Sequence, residues 1–409
     1  MNYFRISLFL TALSLPLITL ADDWSQWRGL QRDGKSTETG LLKEWPEAGP
    51  PLAWRIDGLG GGFSSLSVSK GMIFTLGDLE GGTFVFALKE ADGSVVWRTR
   101  TGDAGGHKGY PGPRSTPTVD GGQVFALNQY SDLVCLDAAT GKEIWSVNLE
   151  SDFGGKMMSG WKYSESPLVD GDQVVVTPGG KKGTVLALNR TTGKKIWQSE
   201  EWADPAGYSS VVIATIHGTR QYVQLTGKSV AGLVPESGKV LWRADRAGKT
   251  AVITTPLIQD DIVFVTSAYG VGCNGFRVSK SGSDWTTEEL YANKNSANHH
   301  GGVVLLDGHV FGSSGGTFNS VDIKSGKLDF KGRSAGKGAT IYADGHFYLR
   351  GEDGTLALIE ATSAELKEKS QFKQPDRSSS KAWAHPVVAN GKLYLRDQGI
   401  LLVYDVKAK

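Results

Sequence analysis

The 409-residue chain is short of several things, and each shortage excludes a class of protein. It has two cysteines, Cys135 and Cys273, so it is no small disulfide-stapled domain. An exported protein of this size needs no disulfide for its core, and sequence leaves open whether these two pair. It has almost no excess charge of either sign, with 44 basic against 43 acidic residues. That balance argues against nucleic acid or an anionic membrane as the main partner. Beyond Leu20 no apolar run is long enough to span a bilayer. The Gly-rich stretch "GLGGGF" (Gly58 to Phe63) has no helix pattern behind it, so it is no phosphate cradle. There is no Gly-x-Ser-x-Gly elbow, no EF-hand-like acidic loop and no cysteine or carboxylate spacing for zinc.

The one long apolar run, "ISLFLTALSLPLITL" (Ile6 to Leu20), follows Arg5, contains Pro16 and ends near the small residues Thr19 and Ala21. It predicts a secretory signal peptide over residues 1–21, cleaved near Ala21, and therefore a periplasmic or secreted protein. Without it the chain carries 43 basic and 43 acidic residues. No membrane insertion is expected of the remainder, and it is expected to be monomeric.

What the chain has in excess is glycine, 54 residues, and tryptophan, 12 residues. They recur together. "LDAATGKEIW" (Leu136 to Trp145), "LNRTTGKKIW" (Leu188 to Trp197) and "LVPESGKVLW" (Leu233 to Trp242) are near-copies of one phrase. Trp54, Trp97, Trp145, Trp197 and Trp242 are spaced by 43, 48, 52 and 45 residues. The series continues through Tyr291, Phe330 and Phe372 at spacings of 49, 39 and 42. A second marker keeps the same period: a polar opening and two short β-runs around a turn, as in "STPTVDGGQVFAL", "TTPLIQDDIVFV" and "AHPVVANGKLYL", eight times in all. A third run, the Thr-Gly or Ser-Gly turn and a fourth run ending in the aromatic complete each unit. Four short strands per unit at a period in the forties make a propeller blade.

The eighth unit supplies three strands before the chain stops, and "PPLAWRI" (Pro50 to Ile56) offers the fourth. The expected fold is therefore all-β: an eight-bladed β-propeller of four-stranded antiparallel blades over residues 50–409, closed by pairing the N-terminal strand with the C-terminal blade. Residues 22–49, with Trp24, Trp27 and Trp45, are expected to form an extended segment pinned to the propeller by its tryptophans, or one that offers them to a ligand. The blade tryptophans themselves are expected to be packing residues.

The phrase from Leu136 to Trp145 resembles the repeat of the PQQ-binding-like (pyrroloquinoline quinone repeat) propeller family. That family includes quinoprotein alcohol dehydrogenases and the lipoprotein scaffold of the outer-membrane barrel-assembly machine. "DWSQWRG", "NHHGGVV" (Asn298 to Val304) and "FKQPDRS" (Phe372 to Ser378) are similar to a secreted bacterial subgroup. The resemblance implies the fold and leaves the activity open. Its dehydrogenases use a disulfide between adjacent cysteines above the quinone, and a Glu, Asn and Asp around Ca²⁺ with an Asp base. Cys135 and Cys273 stand 138 positions apart, and that acidic set does not map onto this chain.

In a propeller the loops from one blade's outer strand to the next blade's inner strand surround the channel mouth. Here several are long and chemically loaded. The candidate ligand-binding rim is His107, Tyr110 and Arg114; Trp161, Tyr163 and Glu165; His299, His300 and Lys337; and Trp383 with His385. A polar ring with aromatic neighbours suits a charged or sugar-like ligand; the plain alternative is a solvated polar funnel. His299 and His300 are adjacent and point opposite ways if extended, so no metal site is expected. No catalytic residue is assigned. The expected function is exported, non-catalytic binding or scaffolding through this face, with an envelope or secreted protein or a saccharide as partner. A PQQ-dependent dehydrogenase with Ca²⁺, and a carbohydrate-binding propeller resting on Trp161, Tyr163 and Trp383, are the alternatives.

Overall fold

The computed structural model describes residues 23–408, so the expected signal peptide lies outside the described residues. Among these there is no α-helix, and no segment is a helix long and apolar enough to cross a membrane. Eight sheets, each containing four antiparallel blade strands, form the ring. Blades 1 to 7 span residues 67–102, 118–148, 168–198, 212–245, 257–293, 303–333 and 338–373. Blade 8 takes three strands from residues 387–405 and its outer strand from Leu52–Ile56. That strand lies antiparallel on Ile400–Asp405, with Trp54 opposite Val403 and Ile56 opposite Leu401, and this closes the ring.

The repeated phrase is the joint between blades. Trp97 of blade 1 packs on the turn of blade 2, where its indole donates to Ala138 O at 3.0 Å. Trp145 does the same to Arg190 O of blade 3 at 2.8 Å, and Trp197 to Pro235 O of blade 4 at 2.9 Å. Trp54 of blade 8 reaches Glu90 O of blade 1 at 3.2 Å, so the closing seam uses the same contact. Glycine is required under the indole. Gly141 has φ +71°, and a Cβ there would lie 2.5 Å from the Trp97 ring. The apolar cores lie between neighbouring blades; one joins Phe74, Leu76 and Val85 of blade 1 to Val124, Ala126 and Val134 of blade 2. Cys135 and Cys273 are both free and buried, in different cores.

Trp24 and Trp45 in residues 23–49 are buried against blades 1 and 7. Residues 24–36 touch the innermost strands, or the loops leading into them, of blades 1, 2, 3, 6 and 7, so this part runs through the central channel, and residues 41–49 then leave it along blade 7. Trp24 exchanges backbone hydrogen bonds of 2.9 Å with Val68 of blade 1, and Ser25 O accepts from Val119 N of blade 2 at 2.8 Å. Arg32 donates to Ser166 O and Pro167 O, at 2.7 and 3.0 Å, on the approach to blade 3. Arg28 donates to Gly301 O at 3.1 Å and to Val303 O of blade 6. Lys35–Ser36 pairs in parallel with Tyr342 and Ala343 of blade 7, and Glu38 accepts from the Asn390 and Gly391 amides of blade 8. Trp45 then packs on Tyr348 and Phe372 before the closing strand begins.

Candidate functional site

The inter-blade loops gather on one face around a cavity of about 360 Å³. Each blade contributes a residue from the loop leading into it. In ring order these are Phe63, then Tyr110 with Arg114, Trp161, Tyr208 and Ile253, followed by His299 with His300, Lys337, and Trp383 with His385. The loops between a blade's second and third strands lie on the same face and add Tyr269 from blade 5 and Glu352 from blade 7. Trp27, on the segment that fills the channel, lies against His385 with ring centroids 4.4 Å apart and forms the floor. The cavity is a funnel closed below by the chain's own N-terminal segment.

One arc is aromatic. Trp383 lies 4.7 Å from Phe63 and 4.6 Å from Tyr110, and Tyr110 lies 5.7 Å from Trp161, by ring centroids. His107 does not line the cavity. It stacks on the back of Trp161 at 4.0 Å and 11° and holds that indole in place. Arg114 clamps the same wall, donating to Tyr110 O at 2.6 Å and Trp161 O at 3.1 Å, with its guanidinium 5.5 Å over Phe63. Burial without a paired carboxylate pushes its pKa down to about 10.

The other arc is polar and centres on Glu352. Its Oε1 accepts from Trp383 Nε1 at 2.9 Å, and His300 Nε2 and Lys337 Nζ each stand 3.0 Å from it. Lys381 Nζ is 3.7 Å from Oε2. Burial alone would push this carboxyl up; the hydrogen bonds from His300 and Trp383 and the nearby charges outweigh it and hold the carboxyl well below the usual range. Burial pushes His299 down to about 4 and His385 to about 3, and it lowers His300 against the pull of Glu352. The His299 Nε2 and the Tyr269 hydroxyl share a 2.5 Å hydrogen bond. His385 Nε2 donates to His300 O at 2.7 Å.

Besides His107, three sequence expectations need correction. His299 and His300 do not point apart. Asn298 Oδ1 accepts from the His300 and Gly301 amides, the chain turns instead of extending, and the two rings sit 4.9 Å apart. With Glu352 they bring three metal-type donor atoms within 4.8 Å of one another. Yet Lys337 already sits on the same carboxylate oxygen with Lys381 beside it, and a unit charge repels another by about 4 kcal/mol at 4 Å near a protein surface. The cluster is built as an ion-paired carboxylate rather than a cation site. Tyr163 is not on the rim: it is buried between blades 2 and 3, with its hydroxyl on Pro178 O at 2.9 Å. Glu165 is buried as well, accepting from the Thr177 amide, and burial pushes its pKa up to about 7. Side chains alternate along the approach to blade 3, so Ser164 faces the funnel and Glu165 turns away. Of the remaining candidates, Tyr110, Arg114, Trp161, His299, His300, Lys337, Trp383 and His385 all line the funnel.

Sequence reasoning missed Glu352, Tyr269, Phe63, Tyr208, Lys381 and the placement of Trp27. Topology held a signal for the first two, because hairpins between second and third strands open on the same face as the inter-blade loops.

The fold and site define a repeat propeller with a ligand-sized funnel. Residues 81–331, more than half the chain, match the family described as outer membrane protein assembly factor BamB, and the chain belongs to that PQQ-repeat family. The outer membrane protein assembly factor BamB of Moranella endobia is 23% identical over 63% of this chain, which is 67% of its own length. A quinoprotein ethanol dehydrogenase of Pseudomonas aeruginosa is 32% identical over 26% of this chain and only 16% of its own length. The structure of quinohemoprotein alcohol dehydrogenase from Comamonas testosteroni superposes on 95% of this chain and 81% of its own, with TM-score 0.65 and 12% identity, which is a likeness of fold.

The lining does not fit the quinone and Ca²⁺ arrangement that this resemblance brings. Among the described lining residues Glu352 is the one carboxylate, and His300, Trp383, Lys337 and Lys381 already engage it. Among these described lining residues no second carboxylate stands ready as a base. The two cysteines lie in separate inter-blade cores.

Proposed function

We propose that this is an exported, non-catalytic binding propeller of the cell envelope, working through its loop-rich face, with the funnel as the seat of a small ligand or of a group projecting from a partner. The observation that carries the reading is convergence. Loops from all eight blades, and the chain's own N-terminal segment, meet around one closed-bottomed cavity with an aromatic wall and a clustered charge group. A solvated polar funnel needs no such wall. The family's description as an outer membrane assembly factor supports an envelope role, with a protein partner presented to the same face.

Thermal unfolding in the presence of small-molecule sets tests this directly. A ligand at about 100 times its Kd stabilises the folded state by roughly 2.7 kcal/mol. The expected result is a saturable shift that Ala251→Trp, which adds an indole to the cavity lining, abolishes without lowering the unliganded melting point by more than a few degrees. Shifts that survive Ala251→Trp would place the ligand elsewhere and overturn the reading.

A further inference from the structure

The chain as a whole is neutral, but the funnel is not. Its lining holds three cations, Arg114, Lys337 and Lys381, against the single carboxylate of Glu352. Beneath the floor, the Arg28 guanidinium is buried and bonded to backbone carbonyls alone. A low-dielectric cleft of one sign focuses its field on the mouth and concentrates ligands of the other sign. His299 and His385 add no charge at neutral pH, because burial keeps both imidazoles unprotonated.

The two arcs define the rest of the ligand. One side is a contiguous aromatic wall of Phe63, Tyr110, Trp161 and Trp383. The rest of the lining carries the hydroxyls of Tyr208 and Tyr269 and the ammonium groups of Lys337 and Lys381, while Arg114 belongs to the aromatic wall. Each hydroxyl already has one partner in the wall, Tyr269 on His299 Nε2 and Tyr208 on Ser159 Oγ, and keeps capacity for one more hydrogen bond, which the bare face of a flat aromatic acid would leave unused. A ring with one apolar CH face and a hydroxylated edge satisfies both arcs. The volume of about 360 Å³ lies at the small end of the range for small-molecule sites, about 300–1,000 Å³.

We propose that the funnel takes an acidic sugar, a pyranose bearing a carboxylate, with its CH face on the Trp383 side and its acid group toward Lys337 and Lys381. This rests on the reading of the funnel as a ligand site and names the chemical class it selects. Lys381 is half exposed, so its ammonium can leave Glu352 for the ligand without breaking the core.

Isothermal titration of the mature protein with glucuronate and with glucose, at low and at high salt, tests it. Glucuronate is expected to bind about tenfold tighter than glucose or better, and to lose that advantage at high salt. Lys381→Ala is expected to bring glucuronate down to the glucose level with the melting point unchanged, and Trp383→Phe to weaken both sugars. A polyuronate that binds more tightly than the monomer points to a polysaccharide source; equal affinity per site points to the free sugar. Equal affinity for glucuronate and glucose, or no effect of Lys381→Ala, would overturn the proposal. If neither sugar binds while another small ligand does so in a manner blocked by Ala251→Trp, the acidic sugar is wrong and the funnel still stands as a ligand site. If nothing binds there, both readings fall.

Discussion

Glu352 shows how much one half-buried carboxylate can organise. It orients His300 and Trp383 and anchors two lysines, so the polar arc depends on its ionisation. The imidazoles around it carry a stability signature. His385 and His299 are neutral in the folded state down to about 3 and about 4, whereas an unfolded histidine protonates near 6.5. Below pH 6.5 the unfolded chain therefore binds more protons, and stability falls as pH falls, by at most about 1.4 kcal/mol per pH unit per imidazole. Glu165 acts in the opposite sense. Its folded pKa is raised from 4.5 to about 7, so its contribution is complete below 4.5 and is lost as pH rises toward 7. Urea unfolding at pH 6.5 and pH 4.5 should show a lower midpoint at the acid end. His385→Gln should flatten that difference, and Glu165→Gln should steepen it. Parallel pH profiles for all three proteins would remove the buried imidazoles and the carboxyl from the account.

The element that repeats is a turn with an indole over it, and this much was readable without coordinates. The Thr-Gly and Ser-Gly turns and the tryptophans carry the period because the contact is local in each pair of blades: glycine is needed under the ring, and the indole N–H needs a carbonyl. Gly141→Ala should cost about 1–3 kcal/mol, since it adds both a left-handed strain and a Cβ against Trp97. Gly122→Ala has a similar φ, +81°, but open space around the Cβ, and should cost only about 1 kcal/mol of strain. Equal losses in thermal unfolding would mean that the indole contact does not fix this glycine. The N-terminal segment was not readable in the same way. Its tryptophans sit in a polar stretch with no period, and its partners are far away in sequence: Arg28 and Val303 are 275 residues apart. Nothing local tells a channel-filling strand from one lying on the surface. Loop length and position before each inner strand pointed to the funnel lining for Tyr110, Arg114, Trp161, His299, His300, Lys337, Trp383 and His385, while His107 and Tyr163 lie outside it. Glu165 was lost to a one-residue alternation, and Glu352 sits in a tight hairpin that looks like any other turn.

At the scale of the whole molecule, a chain of balanced charge folds into a ring with a cationic, aromatic funnel, and the segment around Trp27 closes its floor. The same fold is found in a quinohemoprotein alcohol dehydrogenase, so the fold alone does not decide between binding and redox chemistry. The separation between a binding cup and an enzyme rests on the described lining residues, where one carboxylate is already engaged and none stands beside it as a base. The most direct measurement is alcohol-dependent reduction of an electron-accepting dye by the mature protein after incubation with pyrroloquinoline quinone and Ca²⁺. The account predicts no reduction above a protein-free control with any primary alcohol. Turnover that depends on the quinone and is abolished by Glu352→Gln would contradict it and make the funnel an active site.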